Sequence, residues 1–257
     1  MSNRHYARVT DAAKASEREA EDLDVFHVLG DDPVPDIVGQ VADGRPVEFV
    51  WRNELGGLTF RTGDRYVKWN PTSTGIHLSR ERDRLEWIST RHPAPRVVEY
   101  GSDRDAEWLV TESLPGGHAV GSAWRARRPE AIRAIAAGLR AIHRIPIDDF
   151  PSRWTSEVWV GRTPAALGPR PPLDEPVLVH GDACAPHTLI NTRGEWTGHV
   201  DFGDLAVGDK WADLAVASMS LDWNFGTGHQ QEFFDSYGIE PDEQRISYFR
   251  ALWELES

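Results

Sequence analysis

The chain has 257 residues, 40% hydrophobic and 27% charged, which suits a folded globular protein with a sizeable core. A formal net charge of -13 argues against nucleic acid as a partner, and no apolar stretch approaches the roughly 20 residues of a membrane helix. The single cysteine, Cys184, excludes an internal disulfide, and the first 24 residues, MSNRHYARVTDAAKASEREAEDLD, hold no apolar core for a secretory signal, so a cytoplasmic location is expected. An acidic surface can concentrate cationic ligands, although acidity alone also serves solubility.

Residues 10–23 read as a short polar helix started by Thr10, within an extension spanning 1–35. From about residue 36 the pattern turns to strands. Segments 47–51, 57–61 and 65–69 are rich in β-branched and aromatic residues, with turns at Leu55-Gly56-Gly57 and Thr62-Gly63-Asp64, and predict an antiparallel meander. Residues 79–90 form the next element, an amphipathic helix ended by Pro93 and Pro95. Segments 96–100 and 108–112 read as a strand pair, and Leu114-Pro115-Gly116-Gly117 as a hinge. Beyond it the chain turns helical over 129–145, 211–220, 230–237 and 242–254, with a Pro-rich loop over 164–176. Strands first and helices second predict an α+β fold of two lobes, 36–113 and 114–257.

The chemistry concentrates in two apolar runs of the helical half. Residues 177–179 lead into His180-Gly181-Asp182, and 198–200 lead into Asp201-Phe202-Gly203; they read as adjacent strands of one hairpin, with His187 between them. Two carboxylates so placed can share one metal ion or perform two tasks. Phosphoryl transfer needs two: one to orient the attacking hydroxyl, one to hold magnesium on the nucleotide phosphates. It also needs a cation on those phosphates. Lys68, in the strand Tyr66-Val67-Lys68-Trp69, could supply it, with Glu81 of the next helix as partner. A lone strand lysine is usually a solvated one; the order strand lysine, helix glutamate, hinge, His-Gly-Asp, Asp-Phe-Gly is what gives it meaning.

With those residues in that order, the chain resembles the aminoglycoside phosphotransferases, small-molecule relatives of the protein kinase fold, from about residue 36 onward. The stretch from Val207-Gly208-Asp209-Lys210-Trp211 to Ala212-Asp213-Leu214-Ala215 is similar to the family's segment after its metal-binding aspartate, and 79–88 to its glutamate-bearing helix. The resemblance implies a bilobal protein-kinase-like fold, with a small β-rich lobe and a larger, mostly helical one. It implies that Asp182 is the catalytic carboxylate, that Asp201 binds Mg2+, and that Lys68 holds the α- and β-phosphates while paired with Glu81. Glu86 competes with Glu81 for that place, and the position of Trp87 favours Glu81. Residues 53–60, with Gly56 and Gly57, would cover the nucleotide, and Thr111 to Ser113 would offer hinge backbone groups to the purine of ATP or GTP.

At position 187 the aminoglycoside enzymes carry asparagine as second metal ligand; here His187 stands, as in macrolide phosphotransferases. It can ligate the ion as a neutral imidazole or only hydrogen-bond Asp182 or a phosphate through water. Asn191 is a more distant substitute. His180 and Asp213 are implied to brace the catalytic turn. Acceptors of this family are polycations, and Glu254, Glu256 and the Ser257 carboxylate lie where its acidic C-terminal ending would be, with Asp204 and Asp209 as further acids. The resemblance thus implies a kinase for a hydroxyl of a cationic antibiotic, conferring resistance. The alternatives are a kinase for a macrolide, peptide antibiotic or metabolite alcohol, a nucleotide-binding pseudokinase, or a metal-dependent hydrolase.

Overall fold

The computed structural model describes residues 34–256 except 54 and 174; the expected helix over 10–23, residues 1–33 of the proposed extension and Ser257 lie outside them. The described chain divides into two compact units, one of residues 34–89 and 95–113, the other of 90–94 and 114–256.

The first unit is a five-stranded antiparallel sheet in the order β1-β2-β3-β5-β4, formed by β1 (Glu48–Arg52), β2 (Leu58–Thr62), β3 (Arg65–Pro71), β4 (Val97–Ser102) and β5 (Ala106–Glu112). Before it comes α1 (Asp36–Ala42), where strand structure was expected. The reason is local. Pro35 stands just before the first turn, Asp36 favours a helix N-terminus, and Val38 and Ala42 repeat at helical spacing on the buried side. Val38 packs with Leu58, Phe60, Val67 and Val110 in the core of this unit. Phe60 lies opposite Val67 across β2 and β3, so strand alternation turns Lys68 to the other face of the sheet. There it meets α2 (Leu78–Ile88), whose buried stripe runs through Leu78, Glu81, Leu85 and Ile88. Arg84 is buried beside them, and a buried charged residue such as Glu81 is a sign of a partner.

The second unit holds two small sheets and the remaining helices. Strands β6 (Gly117–His118), β8 (Thr188–Ile190) and β9 (Trp196–His199) form one sheet, and β7 (Val177–Val179) pairs with β10 (Ala206–Gly208) in the other. The two strands that deliver the aspartates are therefore not partners, contrary to the hairpin expected from sequence. After His180-Gly181-Asp182 the chain makes a 3₁₀ turn over Ala185–His187 and enters β8, which takes the place beside β9. The helices are α3 (Ser122–Arg125), α4 (Arg128–Ile142), α5 (Arg153–Ser156), α6 (Trp211–Phe225), α7 (Gln230–Tyr237) and α8 (Glu243–Glu256). α6 is buried on nearly every side and runs five residues past its expected end, because Leu221 and Phe225 continue its apolar surface until Gly226. It packs against α8, and α4 against α7.

Candidate active site

The turn after β7 is held by hydrogen bonds at almost every backbone polar group. The amides of His180 and Gly181 donate to Asp213 on α6, to Oδ2 at 2.7 Å and to Oδ1 at 2.9 Å. The Gly181 carbonyl accepts from the Trp159 indole at 2.6 Å, and the Asp182 carbonyl from His187 Nδ1 at 2.8 Å. Gly181 sits at φ +82, and a Cβ there would run into the Asp204 carbonyl, so glycine is required on two counts. The result is a rigid turn from which the Asp182 side chain, 23% exposed, projects.

His180 is fully buried, and burial holds its pKa below the ordinary value. Its partners fix the neutral tautomer: Nε2–H donates to Val200 O at 2.9 Å, and Nδ1 accepts the Asp182 amide at 3.2 Å. Proton transfer is thereby left to other groups, and His180 ties β7's turn to the residue before Asp201.

Asp201 adopts a left-handed conformation, φ 68 and ψ 56, which costs a non-glycine residue about 1 kcal/mol. The buried Phe202 anchors it, its ring 4.7 Å from that of His180. His187 lies beside both aspartates, with Nδ1 3.6 Å from Asp182 Oδ2 and Nε2 3.4 Å from Asp201 Oδ2. Because Nδ1–H donates to the Asp182 carbonyl, a neutral His187 turns the lone pair of Nε2 toward the Asp201 carboxylate. Two electron-rich atoms so placed share a proton or hold a cation. The donor set fits a divalent ion with two protein ligands and the rest from phosphate and water. Among the described residues no cluster of three or more metal-ligating side chains occurs.

In the first unit, Lys68 Nζ lies 2.8 Å from both Glu81 carboxylate oxygens, while Glu86 is exposed. The turn between β1 and β2 lies one residue later than expected, and β2 begins at Leu58, so 58–60 of the segment expected over the nucleotide belong to the strand. Asn53 Oδ1 accepts from the amides of Leu55 at 3.0 Å and Gly57 at 2.7 Å. Gly57 is needed for close approach, as a Cβ would collide with Asn70 and Asn53, and Gly56 sits at φ +94. Thr111 is paired within the sheet opposite Tyr66. The Ser113 amide, expected to face a purine, instead donates to Asp64 O at 2.9 Å, and its Oγ has no hydrogen-bond partner among the described residues.

The acceptor-side acids separate. Glu254 and Glu256 are exposed at the end of α8, and Asp204 is half-buried beside the His180-Gly181-Asp182 turn. Asp209 is not part of an exposed acidic wall: it is 5% exposed and its Oδ2 pairs with Arg245 Nη1. An arginine on α8 claims that charge within the fold. Sequence reasoning missed Trp159 altogether, since an indole reaching a carbonyl 22 residues away leaves no motif.

A family profile described as "Phosphotransferase enzyme family" matches residues 57–168 and 161–249. An aminoglycoside 3'-phosphotransferase from Streptomyces fradiae is 33% identical over 221 residues, covering 72% of this chain and 82% of that protein. Another from Streptomyces ribosidificus is 29% identical over 255 residues, covering 84% and 94%. The solved structure of an aminoglycoside phosphotransferase from Streptomyces rimosus, in complex with ADP and streptomycin, superposes with a TM-score of 0.63 at 24% identity, over 86% of this chain and 99% of that one. That likeness shows the α+β fold of the antibiotic kinases.

Proposed function

Since this chain belongs to the aminoglycoside phosphotransferase family, we propose that it transfers the γ-phosphate of ATP or GTP to a hydroxyl of an aminoglycoside-type antibiotic, and so confers resistance to it. The names of its relatives make the 3'-hydroxyl the first candidate. The observation that carries the reading is the pair of carboxylates, Asp182 and Asp201, brought to either side of one imidazole, with Oδ2 atoms 3.6 and 3.4 Å from its two nitrogens.

In this reading Asp182 accepts the proton of the acceptor hydroxyl as the oxygen attacks phosphorus, and the nucleoside diphosphate leaves. The braced turn keeps that carboxylate from swinging away, which is where orientation gives rate. Lys68 places its positive charge on the α- and β-phosphates, and the two 2.8 Å bonds it donates to Glu81 keep its long side chain in one rotamer. Asp201 and His187 would hold Mg2+, which when bound would neutralise negative charge on the phosphates. The exposed Glu254 and Glu256, with Asp204, attract the ammonium groups of the acceptor.

The test is a panel of acceptors scored by nucleotide consumption and product mass. Aminoglycosides with a 3'-hydroxyl should gain one phosphate and their 3'-deoxy counterparts none, and Asp182→Ala should lose roughly 100-fold or more in turnover. Transfer to macrolides alone would favour the second reading that His187 suggests, and nucleotide binding without any turnover would leave a pseudokinase.

A further inference from the structure

The peptide plane that precedes Asp182 is pinned on both edges. Its oxygen, Gly181 O, accepts the Trp159 Nε1–H at 2.6 Å, and its nitrogen, Asp182 N, donates to His180 Nδ1 at 3.2 Å. The plane sits after a glycine at φ +82. Glycine is the residue whose backbone torsions cost least to change, so without external bonds this peptide can rotate. Rotation of that plane turns the Cα–Cβ direction of Asp182 with it. The amides of His180 and Gly181 are fixed from α6 by Asp213, but Asp213 does not reach the Gly181 carbonyl. Among the described residues, the indole is the hydrogen-bond donor to that oxygen.

Trp159 is itself held. It is 3% exposed and opens a 3₁₀ turn over Trp159–Gly161. Four residues before it, Thr155 Oγ1 accepts the Val207 amide at 3.0 Å, which fastens this segment to β10. Farther along, the Arg170 guanidinium donates to Val160 O and Arg162 O, both at 2.7 Å. The segment between α4 and β7 is thus a buttress of the catalytic turn as well as a connection.

We propose that Trp159 is a positioning residue for phosphoryl transfer, whose indole N–H fixes the Gly181–Asp182 peptide and through it the aim of the Asp182 carboxylate. This rests on the kinase reading above. Removing the N–H leaves a buried carbonyl without a donor and the peptide pinned at one edge only, by His180 Nδ1, so the chemical step should suffer and binding should not.

The experiment compares wild type with Trp159→Phe and with a benzothienyl analogue at position 159, in which sulfur replaces the N–H at nearly equal volume. Single-turnover and steady-state rates are normalised to the folded fraction from thermal melts. Both variants are expected to lose about tenfold in kcat, with KM for nucleotide and aminoglycoside within about twofold of wild type. A kcat per folded molecule equal to wild type in the benzothienyl protein overturns the proposal, as does a loss confined to KM. A wild type that transfers phosphate to no acceptor takes down the kinase reading and this role together. A competent wild type with an unimpaired analogue overturns this role alone.

Discussion

At the scale of a single residue, the informative position is 187. A histidine there must satisfy two demands at once: Nδ1–H on the Asp182 carbonyl at 2.8 Å, and Nε2 toward Asp201 Oδ2 at 3.4 Å. Magnesium prefers oxygen, whereas imidazole suits the later first-row ions. His187→Asn should therefore retain transfer activity and shift its metal preference, with the Mg2+ concentration for half-activation falling several-fold relative to that for Co2+ or Ni2+. Activity titrations against each ion check this. Complete inactivation by His187→Asn would instead assign the residue's importance to its grip on Asp182. This part of the site was partly legible in the sequence, because turn chemistry announces itself: a glycine between His180 and Asp182, and a phenylalanine anchor after Asp201, are local signals. The Lys68–Glu81 pair was legible for a different reason: the order strand lysine, helix glutamate, hinge, His-Gly-Asp, Asp-Phe-Gly gave the two residues a meaning that neither has alone. What was not legible depends on long reach. Trp159 on Gly181, His92 on His199 and Arg245 on Asp209 join positions 22, 107 and 36 residues apart, and no spacing rule marks them.

At the scale of elements, the His180-Gly181-Asp182 turn is the meeting point of three helices. Asp213 of α6 receives His143 Nε2 at 2.9 Å besides the two turn amides, and His143, at the C-terminus of α4, meets the Tyr237 hydroxyl at the end of α7 at 2.7 Å. Burial, with Asp213 nearby, pushes the Tyr237 pKa up to about 12, so the phenol keeps its proton and its O–H can donate a hydrogen bond to Nδ1. His143 then presents Nε2–H to Asp213, and one buried negative charge is met by three N–H groups. Magnitudes separate the links. Tyr237→Phe removes one neutral hydrogen bond and should cost about 1 kcal/mol. Asp213→Ala strands buried amides and an imidazole N–H together and should cost several times as much, at about 1–3 kcal/mol for each unsatisfied group. Urea unfolding of the two variants checks the ratio, and equal losses would show that Asp213 is not the hub. The short strands escaped the sequence reading because β8 and β10 have three residues each, too few for alternation to show, and α1 did because two turns of helix with adjacent Ile37 and Val38 look like an apolar run.

At the scale of the whole molecule, the same buried histidines set how stability answers to pH. His92 and His199 form a hydrogen bond, Nε2 to Nδ1 at 2.9 Å, inside a cluster with Trp196, His180 and Phe202. Burial is the first cause in each case: it lowers the His92 pKa to about 3, lowers that of His180, and lowers that of His199 well below the ordinary value. In the unfolded chain these groups take up protons near their usual value of about 6.5. Below that pH the unfolded state binds more protons than the folded one, so stability falls as pH falls. For His92 the window runs from 6.5 down to about 3, with a slope near 1.4 kcal/mol per pH unit through most of it. Between pH 6.5 and 5 ordinary carboxylates remain ionised in both states, so the loss there belongs to the histidines. Thermal melts should therefore move steadily downward on going from pH 7 to pH 5. Replacing His199 alone would leave His92 buried without that hydrogen bond, so the variant changes both. His92→Leu with His199→Leu also takes away the acceptor of the part-buried Trp196 indole N–H, 3.3 Å from His199 Nδ1, so it should melt somewhat below the wild type at pH 7. Its melting temperature should also depend less steeply on acid. The same pH dependence in the double variant would show that the histidine pair is not what makes the fold acid-sensitive.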